Sequence, residues 1–255
     1  DAALSGATPR GLHATQIALH LLVTCLIAWL AQALARTPRL RTFQALQDPW
    51  FPLLSAALFA LAPIRVESVA WATERRDLLG AAFALAAVGV YLRTSPADSS
   101  PSRGRFAVAA LLALSALSRA QMTLPFVLLA LDLWPLDRLR SATESRTRAL
   151  LLLLREKALL FTIAAASAAA AIWAQTSSGA LTSSAEHGLF ERLVQAGYGL
   201  AYYPLAALVP RGFGAYLPLH ERPAPFPPLA PEYLIPALAS VAFLLAVWFW
   251  RRRAP

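Results

Sequence analysis

The residues with the richest potential chemistry lie in the stretch 61–77, LAPIRVESVAWATERRD. It places two glutamates, one aspartate and three arginines beside long apolar runs. Glu67 and Glu74 are seven residues apart, so on a helix they would share one face. Such carboxylates could act as a general base or hold a divalent cation, and facing arginines could bind a phosphate. The alternative is a solvated loop whose charges pair with one another.

The composition indicates a membrane protein. The 255 residues are 58% hydrophobic, and the mean hydropathy of +0.52 is too high for an ordinary soluble domain. The formal charge of +9 comes from basic residues clustered in short segments between apolar runs. This distribution is typical of the cytoplasmic loops of membrane proteins, so we expect lipid and no nucleic acid as a partner. The single cysteine, Cys25, excludes an intrachain disulfide.

The apolar runs predict an all-α polytopic membrane protein with about seven transmembrane helices. The runs 106–118 and 122–136 form a short pair, because a single helix would rise about 46 Å and exceed a hydrocarbon core of about 30 Å. We therefore predict a tight turn at Arg119. The segment 93–105 is a Ser/Pro-rich linker. The segment 189–209 is aromatic and interrupted by Gly and Pro, which indicates an interfacial helix, although a crossing stays open. The apolar run 149–175 is interrupted by Arg155, Glu156 and Lys157, so its span begins after Lys157. The predicted spans are 13–35, 50–63, 78–92, 106–118, 122–136, 158–174 and 233–250.

The triple arginine 251–253 orients the chain, because positive charges directly beside a helix end count most. With these arginines in the cytoplasm, the stretch 61–77, the turn at Arg119 and the loop after Ala174 all face outside. Two signals elsewhere are weaker. His13 and His20 share a helix face but are too few for a metal site, and Asp132 caps a helix or pairs. The outer candidates are Glu67, Glu74, Arg75, Arg76, Asp77, Arg119, Gln121, Glu186, His187, Tyr202, Tyr203, His220 and Glu221.

Several motifs resemble those of one family, in the same order. They are VESVAW at 66–71, ERRD at 74–77, Ser118-Arg119 before TLPF at 123–126, Asp132-x-Trp134-Pro135-Leu136, Glu156-Lys157 and YGLAYY at 198–203. Together they resemble bacterial membrane proteins of the GT-C glycosyltransferase superfamily that are related to protein O-mannosyltransferases. Some members of that group carry tetratricopeptide repeats after the membrane part. The match extends over nearly the whole chain.

The resemblance implies transfer of a sugar from a polyprenyl-phosphate donor to a protein or glycan acceptor, by an inverting displacement. The reaction would take place on the outer, periplasmic face of the bacterial inner membrane. The resemblance implies no definite cofactor, although a divalent cation could bind. Glu67 and Asp77 would line the catalytic cavity, and Tyr202 and Tyr203 would contact sugar or lipid. The donor phosphate would be bound by Arg75, Arg76, Arg119 and Gln121, the arginines alternatively pairing with acids.

Two positions depart from the family pattern. Ala62 stands where a histidine is usual, and Arg119 replaces a lysine, which keeps the charge but changes the geometry. We expect 1–255 to be part of a GT-C-like membrane domain that is inactive alone. The first span and first outer loop, with the usual catalytic acid, would precede Asp1, and further spans or repeats would follow Pro255. A non-catalytic scaffold of the same fold and a lipid-linked sugar transporter are the other two readings.

Overall fold

The computed structural model describes residues 8–94, 101–119, 121–139, 145–179, 188–208 and 227–253. These residues form helices and connecting turns without a strand, which confirms the all-α prediction for the described part. Two compact units divide the chain, Asp1–Ala174 and Gln175–Pro255. The helices are α1 (Pro9–Ala35), α2 (Gln44–Gln47), α3 (Trp50–Ala60), α4 (Val66–Ala70), α5 (Arg75–Thr94), α6 (Pro101–Ser118), α7 (Leu124–Leu133), α8 (Arg146–Glu156), α9 (Ala158–Ser177), α10 (Leu189–Leu208) and α11 (Pro231–Arg253).

Four of the described helices are long and apolar enough to cross a membrane. They are α1, α5, α9 and, within α11, Pro231–Trp250. The helices α3 and α7 are apolar but shorter, and they match two of the short spans expected from the sequence. A helical, membrane-associated protein is thus supported, whereas the count of seven spans and the GT-C-like arrangement stay predictions.

Two of the helix breaks in the structure lie at positions predicted from the sequence. The helix α6 ends just before Arg119 and α7 begins at Leu124, so the two apolar runs are separate helices. A second break separates α8 from α9 at Lys157, whose own N–H bonds the carbonyl of Leu154. The predicted linker 93–105 is corrected at both ends, because α5 extends to Thr94 and α6 begins at Pro101. Proline starts a helix readily, since its missing N–H would have no partner in the first turn.

The first unit is organised around α1, α5 and α6. The helix α5 packs along α1, and α6 returns antiparallel to α5. A core of small and aliphatic side chains joins α5, α6 and α7, with Leu112 and Leu128 fully buried. The closest approach is at Gly89, where a Cβ atom would lie 1.7 Å from the Trp29 ring of α1. Only a residue without a side chain fits there, so Gly89 sets the spacing of α1 and α5.

This unit has two ends. At the first, the Arg119 end, the residues 60–77 meet the N-terminal part of α1 and the end of α6. At the second, the Asp132 end, the loop after α1 meets the end of α7 and the break at Lys157. The predicted outer elements before residue 174 therefore share one end, and the basic segments share the other.

The second unit contains α10 and α11. The helix α10 is continuous through Gly197, Gly199 and Pro204, which corrects the expected interruption. An internal proline removes one helical hydrogen bond, and here the turns on both sides stay helical. Gly197 lies so close to α11 that a Cβ atom would be 2.9 Å from that of Ala237, and the Ser240 hydroxyl donates to the Gly197 carbonyl at 2.8 Å.

Candidate functional site

A broken helical segment carries the acidic residues of the predicted site. After α3 ends, Pro63 begins a single 3-10 turn (Pro63–Arg65), because its fixed φ suits a first helical position. The short helix α4 follows and stops before Trp71, whose backbone is extended (φ −93°, ψ 111°). A second 3-10 turn (Ala72–Glu74) leads into α5. The chain therefore passes from α3 to α5 through short turns, which expose backbone carbonyls that need partners.

One buried side chain of α1 supplies such partners. Gln16 is completely buried, and its Nε2 donates hydrogen bonds to the backbone oxygens of Ser68 (3.2 Å) and Trp71 (2.8 Å). These carbonyls lie at and just beyond the end of α4, where a helix offers no N–H partner. An unpaired buried carbonyl costs about 1–3 kcal/mol, so Gln16 stabilises the break in this position.

Arg119, at the end of α6, pairs with two carboxylates from this segment and the start of α5. Its guanidinium donates directly to Asp77 and lies 3.7 Å from Glu74. The second carboxylate oxygen of Asp77, Oδ1, is buried and accepts no hydrogen bond within the described chain. Asp77 thus has one oxygen engaged by Arg119 and a second, Oδ1, that lies 3.9 Å from Nε of Arg76 and accepts no hydrogen bond from a described residue.

The close packing of α5 and α6 places this ion pair. A Cβ atom on Gly80 would lie 3.3 Å from the Cβ of Arg119, and the buried hydroxyl of Ser115 donates to the Gly80 carbonyl at 2.8 Å. Because the backbones approach so closely, the Arg119 side chain starts within reach of Asp77, one turn before Gly80.

The same groups border a cavity of about 420 Å³ at the Arg119 end. Cavities of a few hundred Å³ are typical of small-molecule sites. Side chains of α1, α3 and α5 form an apolar part of its wall, and polar residues form another part. The apolar residues include Val23, Ile27, Phe59, Leu78 and Leu85, and the polar ones are Arg65, Ser68, Asp77, Arg119 and Gln121.

Arg65 is a cavity residue that we did not nominate from the sequence. The residue is exposed, but its guanidinium carbon lies 4.6 Å from the centre of the Phe59 ring, and partial burial of the charged group lowers its pKa from the usual value. No described carboxylate pairs with it. The sequence did contain a signal that Arg65 lacks a local ion-pair partner. No acidic residue stands three or four positions from Arg65, whereas Arg75 and Arg76 directly follow Glu74.

The predicted site residues fall into three groups. Asp77, Arg119 and Gln121 line the cavity together. Arg76 is exposed, 3.9 Å from Asp77, and Arg75 is partly buried; neither lines the cavity. Tyr202 and Tyr203 belong to the second unit, where Tyr202 stacks on Tyr198 and meets Tyr203 edge to face. The predictions for the Glu67 side chain, Glu186, His187, His220 and Glu221 lie outside the described residues.

A second cluster of charges lies at the Asp132 end. Asp132 is completely buried. It accepts hydrogen bonds from Lys157 and from the Tyr91 hydroxyl, and it forms an ion pair with Arg138 at 3.2 Å. Arg138 in turn pairs with Glu156 at 3.0 Å. Asp132 therefore pairs rather than stands free, and the Asp-x-Trp-Pro-Leu and Glu-Lys motifs meet in this one network.

This network is closed and nearly neutral. Burial alone would lower the pKa of Arg138, but its hydrogen bond with Glu156 and the charge of Asp132 raise that pKa above the usual value. A neighbouring pair joins Arg39 and Asp137 at 2.8 Å. Because each described carboxylate of this cluster is paired with a cation, the cluster joins the helices that carry these charges.

No group of three or more His, Cys, Asp or Glu side chains with metal-binding proximity occurs in the described residues. At the Arg119 end, Glu74 and Asp77 are held by Arg119, which supplies positive charge where a metal ion could otherwise do so. The divalent cation considered from the sequence stays a prediction.

Among the residues that the structure describes, the Arg119-end cavity is thus the site where polar, potentially reactive side chains meet apolar walls. No family model, curated protein or solved structure matches this chain.

Proposed function

We propose that this chain is part of a membrane glycosyltransferase that takes a sugar from a polyprenyl-phosphate donor and passes it to a protein or glycan acceptor on the outer face. The observation that supports the proposal best is the Arg119-end cavity. Its apolar wall suits a hydrocarbon chain, and its cations and carboxylate suit a phosphate and an acceptor hydroxyl.

The chemistry would be a single displacement. The acceptor oxygen bonds to the anomeric carbon, the bond from that carbon to the phosphate oxygen breaks, and polyprenyl phosphate leaves. A carboxylate takes the proton of the acceptor hydroxyl, a role that suits a general base near neutral pH. Among the described residues Asp77 is the candidate for this role, because its Oδ1 oxygen is buried and accepts no hydrogen bond from them. Arginine stabilises the leaving phosphate by charge and paired hydrogen bonds.

The test is sugar transfer from a radiolabelled polyprenyl-phosphate sugar by the full-length protein in lipid nanodiscs. We expect Asp77→Asn to lower kcat by about 100-fold, since removal of a general base or its partner typically costs at least that much. Glu67→Gln is expected to lower turnover too, and wild-type turnover would remove Glu67 from the mechanism. The matched control is Glu232→Gln, which changes an exposed carboxylate in α11 that does not line the cavity.

A non-catalytic scaffold is the second candidate. The observation in its favour is that Asp77 and Glu74 both engage Arg119, as structural ion pairs do. Ala62, which replaces the usual family histidine, points the same way. In that case no variant or wild-type preparation transfers sugar, while Asp77→Asn lowers thermal stability.

A further inference from the structure

Arg65 differs from the other charged residues of the cavity because its charge is not compensated. Three lining residues are charged, namely Arg65, Asp77 and Arg119. Arg119 is engaged by Asp77 and Glu74, whereas Arg65 forms no ion pair with the carboxylates whose side chains the structure describes. An arginine keeps its charge even when burial lowers its pKa, so among the described lining residues one cation has no carboxylate partner.

Phe59 holds this cation in position. The guanidinium carbon lies 4.6 Å from the centre of the ring, a cation–π contact that does not use the N–H donors of the guanidinium. No hydrogen bond from the Arg65 side chain to a described residue is present. The five donors of a guanidinium form a planar fork that matches a phosphate or carboxylate in a bidentate way. Arg65 is therefore available for an anion that the described residues do not supply.

The surroundings of Arg65 restrict the kind of anion. Phe59 belongs both to the Arg65 contact and to the apolar wall, so a ligand bound to Arg65 continues onto Val23, Ile27 and Leu85. A free phosphate would leave this wall uncovered, and an uncharged lipid would leave Arg65 unpaired. A single-chain lipid that ends in a phosphate would cover the apolar wall with its hydrocarbon chain and pair its phosphate with Arg65.

We propose that Arg65 is the phosphate-binding residue of the cavity, and that it recognises a polyprenyl phosphate whose hydrocarbon chain lies along the apolar wall. This assignment deepens the proposed function, on which it rests, by naming the residue that binds the donor phosphate. It reassigns to Arg65 a role that the sequence suggested for Arg119, whose guanidinium instead pairs with Asp77.

Binding of polyprenyl phosphate to the full-length protein in zwitterionic nanodiscs tests the proposal, with tryptophan fluorescence as the readout. We expect Arg65→Gln to weaken binding of polyprenyl phosphate at least tenfold and to leave binding of the uncharged polyprenol within twofold. Arg65→Lys, which keeps the charge but loses the fork, should lie between. The matched control, Arg41→Gln, changes an exposed arginine at the Asp132 end and should bind like wild type.

Three results would overturn the proposal. They are unchanged phosphate binding in Arg65→Gln, an equal loss for polyprenol, and competition by inorganic phosphate or a two-chain anionic phospholipid as effective as that of polyprenyl phosphate. The proposed function fails separately. Arg65-dependent binding without sugar transfer would reject the transferase and keep this assignment, whereas transfer by Arg65→Gln at the wild-type KM would reject the assignment and keep the transferase.

Discussion

Some residues at the Arg119 end stabilise the segment 63–74, and others line the cavity. Gln16 binds two backbone carbonyls and Arg119 binds two carboxylates, so both stabilise the local structure. Arg65 pairs with no described carboxylate, and the Oδ1 oxygen of Asp77 accepts no hydrogen bond from a described residue, although Arg76 lies 3.9 Å away. The sequence motifs thus singled out residues that lie at this end, but it could not be read from residue type which of these charges pair with one another. Arginine binds phosphate and carboxylate equally well, and only neighbours decide which.

At this scale we predict that Gln16→Met loosens the segment 63–74. Methionine keeps the volume but removes the amide that bonds Ser68 and Trp71, which should cost about 1–3 kcal/mol of local stability. Amide hydrogen exchange in 63–74 should accelerate about tenfold to a hundredfold in the variant. Gln44→Met, at an exposed glutamine, serves as the control. Exchange that matches wild type in Gln16→Met would contradict the holding role.

Helices in the first unit are joined by two different kinds of contact. At the Asp132 end, a buried ionic network links α5, α7 and the α8–α9 break. Between α1 and α5, a glycine admits the Trp29 ring. Apolar run lengths predicted the helices and the break at Lys157, because charges interrupt hydrophobic segments. They did not predict which charges would meet, since Asp132 and Lys157 are 25 residues apart.

The buried pair Asp132–Lys157 makes a prediction for α7 and α9. In Asp132→Asn the ammonium of Lys157, only 1% exposed, loses its carboxylate, and breaking a buried pair typically costs about 3–5 kcal/mol. The double variant Asp132→Asn/Lys157→Met should recover part of this loss in thermal unfolding in mild detergent. Asp137→Asn alters the more exposed Arg39 pair and should cost about 1 kcal/mol or less. If Asp132→Asn and Asp132→Asn/Lys157→Met lowered the thermal unfolding midpoint equally, the two residues would not be a coupled pair.

Gly89 makes a prediction for the packing of α1 on α5. In Gly89→Ala the new Cβ would lie 1.7 Å from the Trp29 ring, so the helices must separate, with a cost of about 1–3 kcal/mol. Gly199→Ala is the control, because its nearest neighbour would be 3.9 Å away and alanine favours a helix by about 0.5–1 kcal/mol. The unfolding midpoint should fall in the first variant and hold or rise in the second. Gly89→Ala/Trp29→Leu should regain stability, and a neutral Gly89→Ala would refute the close contact.

The whole molecule combines apolar helices with two chemically different ends of its first unit. The Arg119 end carries the cavity and the broken segment, and the Asp132 end carries the ionic network and most of the basic loop residues. By the positive-inside tendency, the basic end should lie in the cytoplasm and the cavity should open outside. Sidedness depends on the bilayer and the insertion machinery, so it stays a prediction.

Labelling of single cysteines in intact cells checks this orientation. In a Cys25→Ala background, Thr73→Cys at the Arg119 end should react with a membrane-impermeant maleimide, and Thr42→Cys at the Asp132 end should react only after permeabilisation. Both threonines are exposed, so accessibility within the protein does not limit either reaction. The opposite labelling pattern would place the cavity in the cytoplasm and would remove the outer-face transferase proposed above.

Local patterns were sufficient for the helical membrane class, the turn at Arg119 and the break at Lys157, because run length and interrupting charges act over a few residues. Local patterns were also sufficient to single out 61–77 as the chemically richest stretch. They could not decide that Arg119 neutralises Asp77, 42 residues away, while Arg65 is left to face the cavity. That division depends on the close approach of α5 and α6 at Gly80 and on Phe59 beside Arg65. Packing between distant helices sets which charges can touch, and a charge left without a partner is what a ligand can recognise.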